Sequence, residues 1–157
     1  FLDYLQRDWA AARKTLTPLA LAGGEVHPRA ARILLAVDRD SEDYADGLTQ
    51  ARAYAAADPA EPEWPAAVAE FEFRTGGEKA AEAKLEAMAA KGDLDSMLAV
   101  ADVYARLKRF DAAARVARVA TTKYPESSEA QFRLASSLER AGTTGEAGAA
   151  GLAEYGV

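Results

Sequence analysis

The sequence predicts an all-α fold, an α-solenoid of stacked antiparallel helix pairs, on three observations. A small-residue column, Ala12, Gly47, Ala81, Ala113 and Ala147, recurs at intervals of 35, 34, 32 and 34. Two further columns keep step with it: Leu34, Val68, Val100 and Leu134, and Leu35, Ala69, Ala101 and Ala135. The short interval falls at the same place in all three. Finally, about a quarter of the chain is Ala, the best helix former, while aromatics make up only 8%. A period near 34 marks helix–turn–helix repeats, each too small to bury its apolar face alone, so that neighbours must stack. The 157 residues hold about four and a half of them.

The elements follow in order. Residues 1–5 read as the end of a helix, so the chain opens mid-repeat and is expected to be a piece of a longer protein. Asp8 and Trp9 begin a helix to about residue 21, with Trp9, Ala12, Leu16 and Leu19 on one side. Gly23-Gly24 ends it, because Gly readily takes the left-handed conformation that closes helices. Pro28 starts the next helix, where its missing N–H costs nothing. That helix turns Ala31, Leu34 and Leu35 inward and ends near Arg39. Ser41 reads as the N-cap of its partner, with Glu42 and Asp43 in the first turn. Tyr44, Gly47, Leu48, Ala51 and Tyr54 then recur at spacings of three and four. Asp58-Pro59 closes this repeat, and the prolines from 59 to 65 mark an irregular joint. Helices over 64–74 and 79–90 flank Gly76-Gly77. Helices over 95–107 and 110–124 flank Lys108-Arg109, and Pro125 is the stop. A helix over 128–141 precedes Gly142 and a weaker last helix, in which Gly148 and Gly151 each cost about 1 kcal/mol against Ala. The expected repeats are 1–26 (partial), 28–61, 62–93, 94–127 and 128–157.

Composition narrows the function. The net charge is −6, which argues against a nucleic-acid binder with its basic stripe and against docking on anionic lipid. Cysteine is absent, which excludes disulfides, thiolate metal sites and thiol nucleophiles. The strongest apolar run, 33–37, is far short of the ~20 residues of a membrane span, so no membrane insertion is expected. The single histidine, His27, stands beside Pro28 at a helix start and reads as a loop or capping residue. Without other His or Cys, the pairs Glu82/Glu86 and Glu70/Glu72 read as solvated carboxylates, not metal ligands. Gly76-Gly77-Glu78-Lys79 lacks phosphate-loop spacing. No catalytic residue, metal or cofactor is expected. The Ala- and Arg-rich composition points to a bacterial source, and cytoplasm and periplasm are equally compatible.

With these columns in view, the chain resembles the tetratricopeptide repeats. Residues 94–125 carry the clearest match: Val100, Ala101, Tyr104, the Arg109-Phe110-Asp111 turn, Ala113, Ala117, Ala120 and Pro125. Residues 128–147 match through Leu134, Ala135, Leu138, Gly142 and Ala147, and 28–59 through Leu34, Tyr44, Gly47, Ala51 and Pro59. The repeat at 62–93 departs, with Glu72 where the family prefers an aromatic and no closing proline. The resemblance implies a right-handed solenoid that serves as a protein–protein interaction scaffold, the first helix of each pair lining a concave groove. The lining would include Arg29, Arg32, Ala36 and Arg39, then Glu70, Phe73 and Arg74. Leu98, Asp102, Ala105 and Arg106 would follow, then Phe132, Arg133 and Ser136.

Arg29, Arg32 and Arg39 share one side of a helix and form a basic run in an acidic chain. Arginine's planar fork suits carboxylates, so the expected partner is a protein or peptide with an acidic segment. The plainer reading pairs these arginines with Asp38, Asp40 or Glu63. The chain contains no asparagine, so it lacks the clamp of Lys, Arg and Asn with which chaperone-binding members hold a peptide C-terminus. The resemblance suggests a setting in bacterial envelope, secretion or polysaccharide-export assemblies. Two alternatives stand beside it. One is a spacer or self-association module working through the solenoid ends. The other is a regulatory segment of an enzyme whose catalytic part lies outside the chain.

Overall fold

A computed structural model describes residues 6–142. Within them the chain forms eight α-helices: α1 Trp9–Ala20, α2 Pro28–Asp40, α3 Tyr44–Ala57, α4 Glu63–Arg74, α5 Glu78–Ala90, α6 Leu94–Arg106, α7 Phe110–Lys123 and α8 Ser128–Arg140. There is no strand among the described residues, and the fold is an all-α helical repeat. The chain divides into two compact units, Phe1–Glu82 and Ala83–Val157, with the boundary inside α5. In the first, α1 packs on α2, α2 on α3 and α3 on α4; in the second, α6 packs on α7, α7 on α8 and α6 on α8. The end segments expected as helix, 1–5 and from Gly145 onward, lie outside the described residues, as does Ala147.

Local chemistry fixes the helix starts. Asp8 accepts a hydrogen bond from the Ala11 N–H at 3.0 Å, Asp93 from Ser96 at 2.9 Å, and Ser127 from Ala130 at 3.2 Å. Each satisfies one of the donors that a helix N-terminus leaves open. Pro28 occupies the first turn of α2, as its fixed φ favours.

A left-handed residue stands in the turns α2–α3, α4–α5 and α6–α7, and likewise before α1 and after α8. Arg7, Glu42, Gly76, Lys108 and Gly142 have φ of 57°, 59°, 101°, 58° and 59°. Their spacing, 35, 34, 32 and 34, repeats the interval pattern of the small-residue column. After three of them the next N–H reaches back five residues: Asp43 to the Asp38 carbonyl at 2.9 Å, Gly77 to Glu72 at 2.9 Å and Arg109 to Tyr104 at 2.8 Å. This is the Schellman closure of a helix C-terminus. It corrects the expectation for Ser41, which is the C-cap of α2. Glu42 and Asp43 precede α3, whose first turn holds Asp46 instead.

The columns face inward. Ala12, Gly47, Ala81 and Ala113 are all buried, as are Leu34, Val100 and Leu134. The core of the first unit gathers Leu16, Leu34, Leu35, Tyr54, Trp64 and Phe71, with Tyr54 and Trp64 edge to face at 5.5 Å. Gly47 is there for space, not for backbone conformation. A Cβ at that position would come within 2.6 Å of Phe71 Cδ1 and Cζ. In the second unit Met97, Val100, Val103 and Tyr104 of α6 meet Ala113, Val116, Ala117 and Ala120 of α7, all buried. Leu19, expected on one side of α1 with Ala12 and Leu16, is 51% exposed while those two are buried.

Candidate partner-binding face

In the first unit, two of the three arginines expected to receive an acidic partner, Arg32 and Arg39, are engaged by carboxylates of the chain itself. Arg32 on α2 donates to both oxygens of Glu63 on α4, at 2.8 and 2.6 Å. Arg39 makes a bidentate pair with Glu70, at 2.7 and 2.9 Å. Both bridges join residues 31 apart. Glu70 is fully buried and also accepts from Arg74 at 3.1 Å, so it is a core carboxylate and not a solvated one. Two aromatic rings back the cations: Arg39 lies 5.4 Å from the Phe71 centroid and Arg74 lies 5.2 Å from that of Tyr44. Glu72 bonds Arg52 at 3.2 Å. Arg29 is exposed and Phe73 half-buried. His27 is the exposed N-cap residue of α2 and makes no side-chain cap bond.

Asp38 pairs with Arg13 of α1, at 2.8 Å, and not with a groove arginine. Burial pushes its carboxyl above the usual aspartate range against the lowering pull of Arg13, and its second oxygen is buried without a hydrogen-bond partner. Burial, helped by the charge of Asp38, pushes the Tyr54 phenol up to about 12.

The second unit presents a different face. Arg133 of α8 grips Asp102 of α6 through both oxygens, at 2.8 and 2.9 Å. This third 31-residue bridge has its charges in the opposite order. Beside it lies a recess of about 250 Å³ between α6 and α8. Asp102, Ala105, Arg106, Phe132, Arg133 and Ser136 all line it, and all six were expected on the groove side. Helical spacing explains their convergence, since residues three and four apart share a face. Leu98, expected with them, is half-buried and is not part of the lining. Phe132 is 70% exposed. Sequence reasoning missed Arg140, which completes the wall and holds its guanidinium 4.7 Å from the Phe110 centroid. Its position four residues after Ser136 and seven after Arg133 was the available signal.

On another side of this unit, Ala89, Ala90, Met97, Val116 and Val119 line an apolar recess of about 190 Å³. At its edge, Glu86 accepts from Tyr104 at 2.6 Å and pairs with Arg115. Burial opposes its ionisation, but these two hydrogen bonds outweigh that and hold the carboxyl below the usual glutamate range.

Among the described residues no group of three His, Cys, Asp or Glu is placed to hold a metal ion, and no helix is long and apolar enough to cross a membrane. No curated protein and no solved structure matches the chain. Residues 94–137, which span α6, α7 and most of α8, match the family model described as tetratricopeptide repeat. That match and the succession of packed helices fit a tetratricopeptide-like helical-repeat protein.

Proposed function

We propose that this chain is a protein-interaction module that docks a segment of a partner protein against the α6/α8 face. The observation that carries the reading is the recess itself, with Phe132 standing 70% exposed at its rim. An exposed aromatic beside a cleft gains most from being covered, and aromatic and Arg residues dominate binding hot spots. The recess, at about 250 Å³, is smaller than the ~300–1,000 Å³ of typical small-molecule sites. It suits one or two side chains of a peptide. Arg106 and Arg133 border it, while Arg32 and Arg39, already paired within the chain, serve the fold more than the partner. Tetratricopeptide repeats generally mediate protein–protein contacts, and such scaffolds are typically not catalytic. The family resemblance alone suggests the setting, a bacterial envelope, secretion or polysaccharide-export assembly.

The test is affinity capture from the native host's lysate with the wild type beside Phe132→Asp, a substitution at an exposed site that leaves the fold intact. The expected result is a stoichiometric partner that the variant loses. A partner captured equally by both would place docking elsewhere and refute the assignment.

A further inference from the structure

On the α5/α7 side of the second unit, the apolar recess of about 190 Å³ lies beside a side chain able to fill it. Met97 and Val116 are buried at its base, and Ala89 and Ala90 of α5 line one side. Val119 of α7 also lines it and is 54% exposed. A lone exposed valine needs no explanation, but stacking does not call for a large residue here. Six residues after Ala12, Gly47 and Ala81 of the small-residue column stand Pro18, Ala53 and Ala87; six after Ala113 stands Val119. At the edge, Glu86 of α5 and Arg115 of α7 are paired and half exposed.

Independently of the α6/α8 reading, we infer that two copies of this chain associate through this patch about a two-fold axis, each placing Val119 in the other's recess. In such an isologous contact the same surface meets itself, so one patch must supply both halves of every match. This patch does so twice. It holds a hollow and an apolar side chain to enter one, and it holds a carboxylate beside a guanidinium. With the axis between them, each Glu86 also meets the other copy's Arg115. The two charges of the lining cancel, in a chain whose net charge is −6. Copies of an acidic chain repel each other generally, and a neutral apolar patch opposes their contact least. A surface built for a partner of opposite charge carries a surplus of one sign, and this lining carries none. The recess admits about one side chain from each copy, so the dimer is weak and rapidly reversible.

Sedimentation equilibrium of the full chain from about 10 µM to 1 mM tests the contact. The expected result is a monomer–dimer equilibrium. Val119→Asp, at an exposed site, should melt as the wild type does. It should weaken the dimer about tenfold or more, because a carboxylate cannot enter an apolar recess without losing its water. Glu86→Arg and Arg115→Glu test the axis. Each alone sets like charges across the contact and should weaken it, whereas their equimolar mixture sets opposite charges and should recover the dimer. Where either charge variant melts far below the wild type, the Val119→Asp comparison decides. A wild type that stays monomeric at about 1 mM overturns the inference. If Val119→Asp then also lowers Tm, another part of the chain covers the recess; if it does not, the recess is left to a different protein. A dimer that Val119→Asp leaves unchanged places self-association on another face, such as the stack ends, and overturns the inference as well.

Discussion

Gly47→Ala should destabilise the protein, although the same change in an exposed helix interior stabilises by about 1 kcal/mol. Gly47 lies within α3 and is buried against Phe71 of α4. The new methyl would stand within 2.6 Å of two ring carbons, where carbon atoms prefer roughly 3.5–4.0 Å. The ring would have to retreat by about 1 Å. It is fully buried and carries the Arg39 guanidinium over it, so it cannot swing into solvent. Overpacking of this kind costs about 1–3 kcal/mol, and the upper end applies because three ring atoms are affected. Subtracting the propensity gain leaves a net loss of about 2 kcal/mol. For a chain of this size that lowers Tm by roughly 4–8 °C. Thermal and urea unfolding followed by circular dichroism would measure it. The double variant Gly47→Ala/Phe71→Leu makes room and should cost less than the sum of its parts. A single variant as stable as wild type, or more so, would refute the claim that this column exists to let α3 approach α4.

Other consequences are testable in the same way. Glu70→Ala removes the buried carboxylate that Arg39 and Arg74 share, their side chains only 18% and 20% exposed, and should cost about 3 kcal/mol. Arg32→Gln breaks a bridge whose arginine is 56% exposed and should cost under about 1 kcal/mol; equal losses would show that burial does not grade these bridges. Lys108→Gly relieves a left-handed φ of 58°, worth about 1–2 kcal/mol, against about 0.4–1 kcal/mol of added unfolded-state entropy. Its Tm should rise slightly, and a fall would refute the strain. In acid, Glu86 and Asp38 act with opposite signs. Glu86 has a lowered pKa, so its stabilisation is present above the unfolded value and fades as pH falls through the native one. Asp38 has a raised pKa, so it penalises the fold at higher pH and that penalty is relieved on acidification. Urea midpoints between about pH 3 and 6 should therefore flatten with Glu86→Gln and steepen with Asp38→Asn.

Much of the fold was legible because stacking imposes a period on the residues it buries. Ala12, Gly47, Ala81 and Ala113 are small for one packing reason, so residue type alone revealed the register. The turn column hides for the converse reason. A left-handed backbone position is easiest for Gly, yet of its five members only Gly76 and Gly142 are Gly. With Glu at 42, the turn signal vanished and Ser41 looked like a helix start. The face was half legible. The family resemblance placed Asp102, Arg106, Phe132 and Arg133 on one side, but no local pattern shows that Arg32 and Arg39 meet carboxylates 31 residues away. The burial of Glu70 was invisible for the same reason, since a charged residue enters a core only when a distant partner neutralises it.

The 31-residue bridges also bear on how such a protein can be rearranged. Repeat proteins evolve by duplicating and shuffling their repeats, which in principle stack in any order. Here the order is written in charge. The α2 repeat offers arginines that the next repeat must answer with Glu63 and Glu70, whereas the α6 repeat offers Asp102 and needs the arginine of α8. By the column register, Asp102 stands where Glu70 does, so the α6 repeat placed after the α2 repeat would still answer Arg39 with a carboxylate, whereas the α8 repeat, with Ser136 there, would not. The joints thus restrict which repeat can follow which, and a permuted recombinant would have to restore a carboxylate wherever the register offers none.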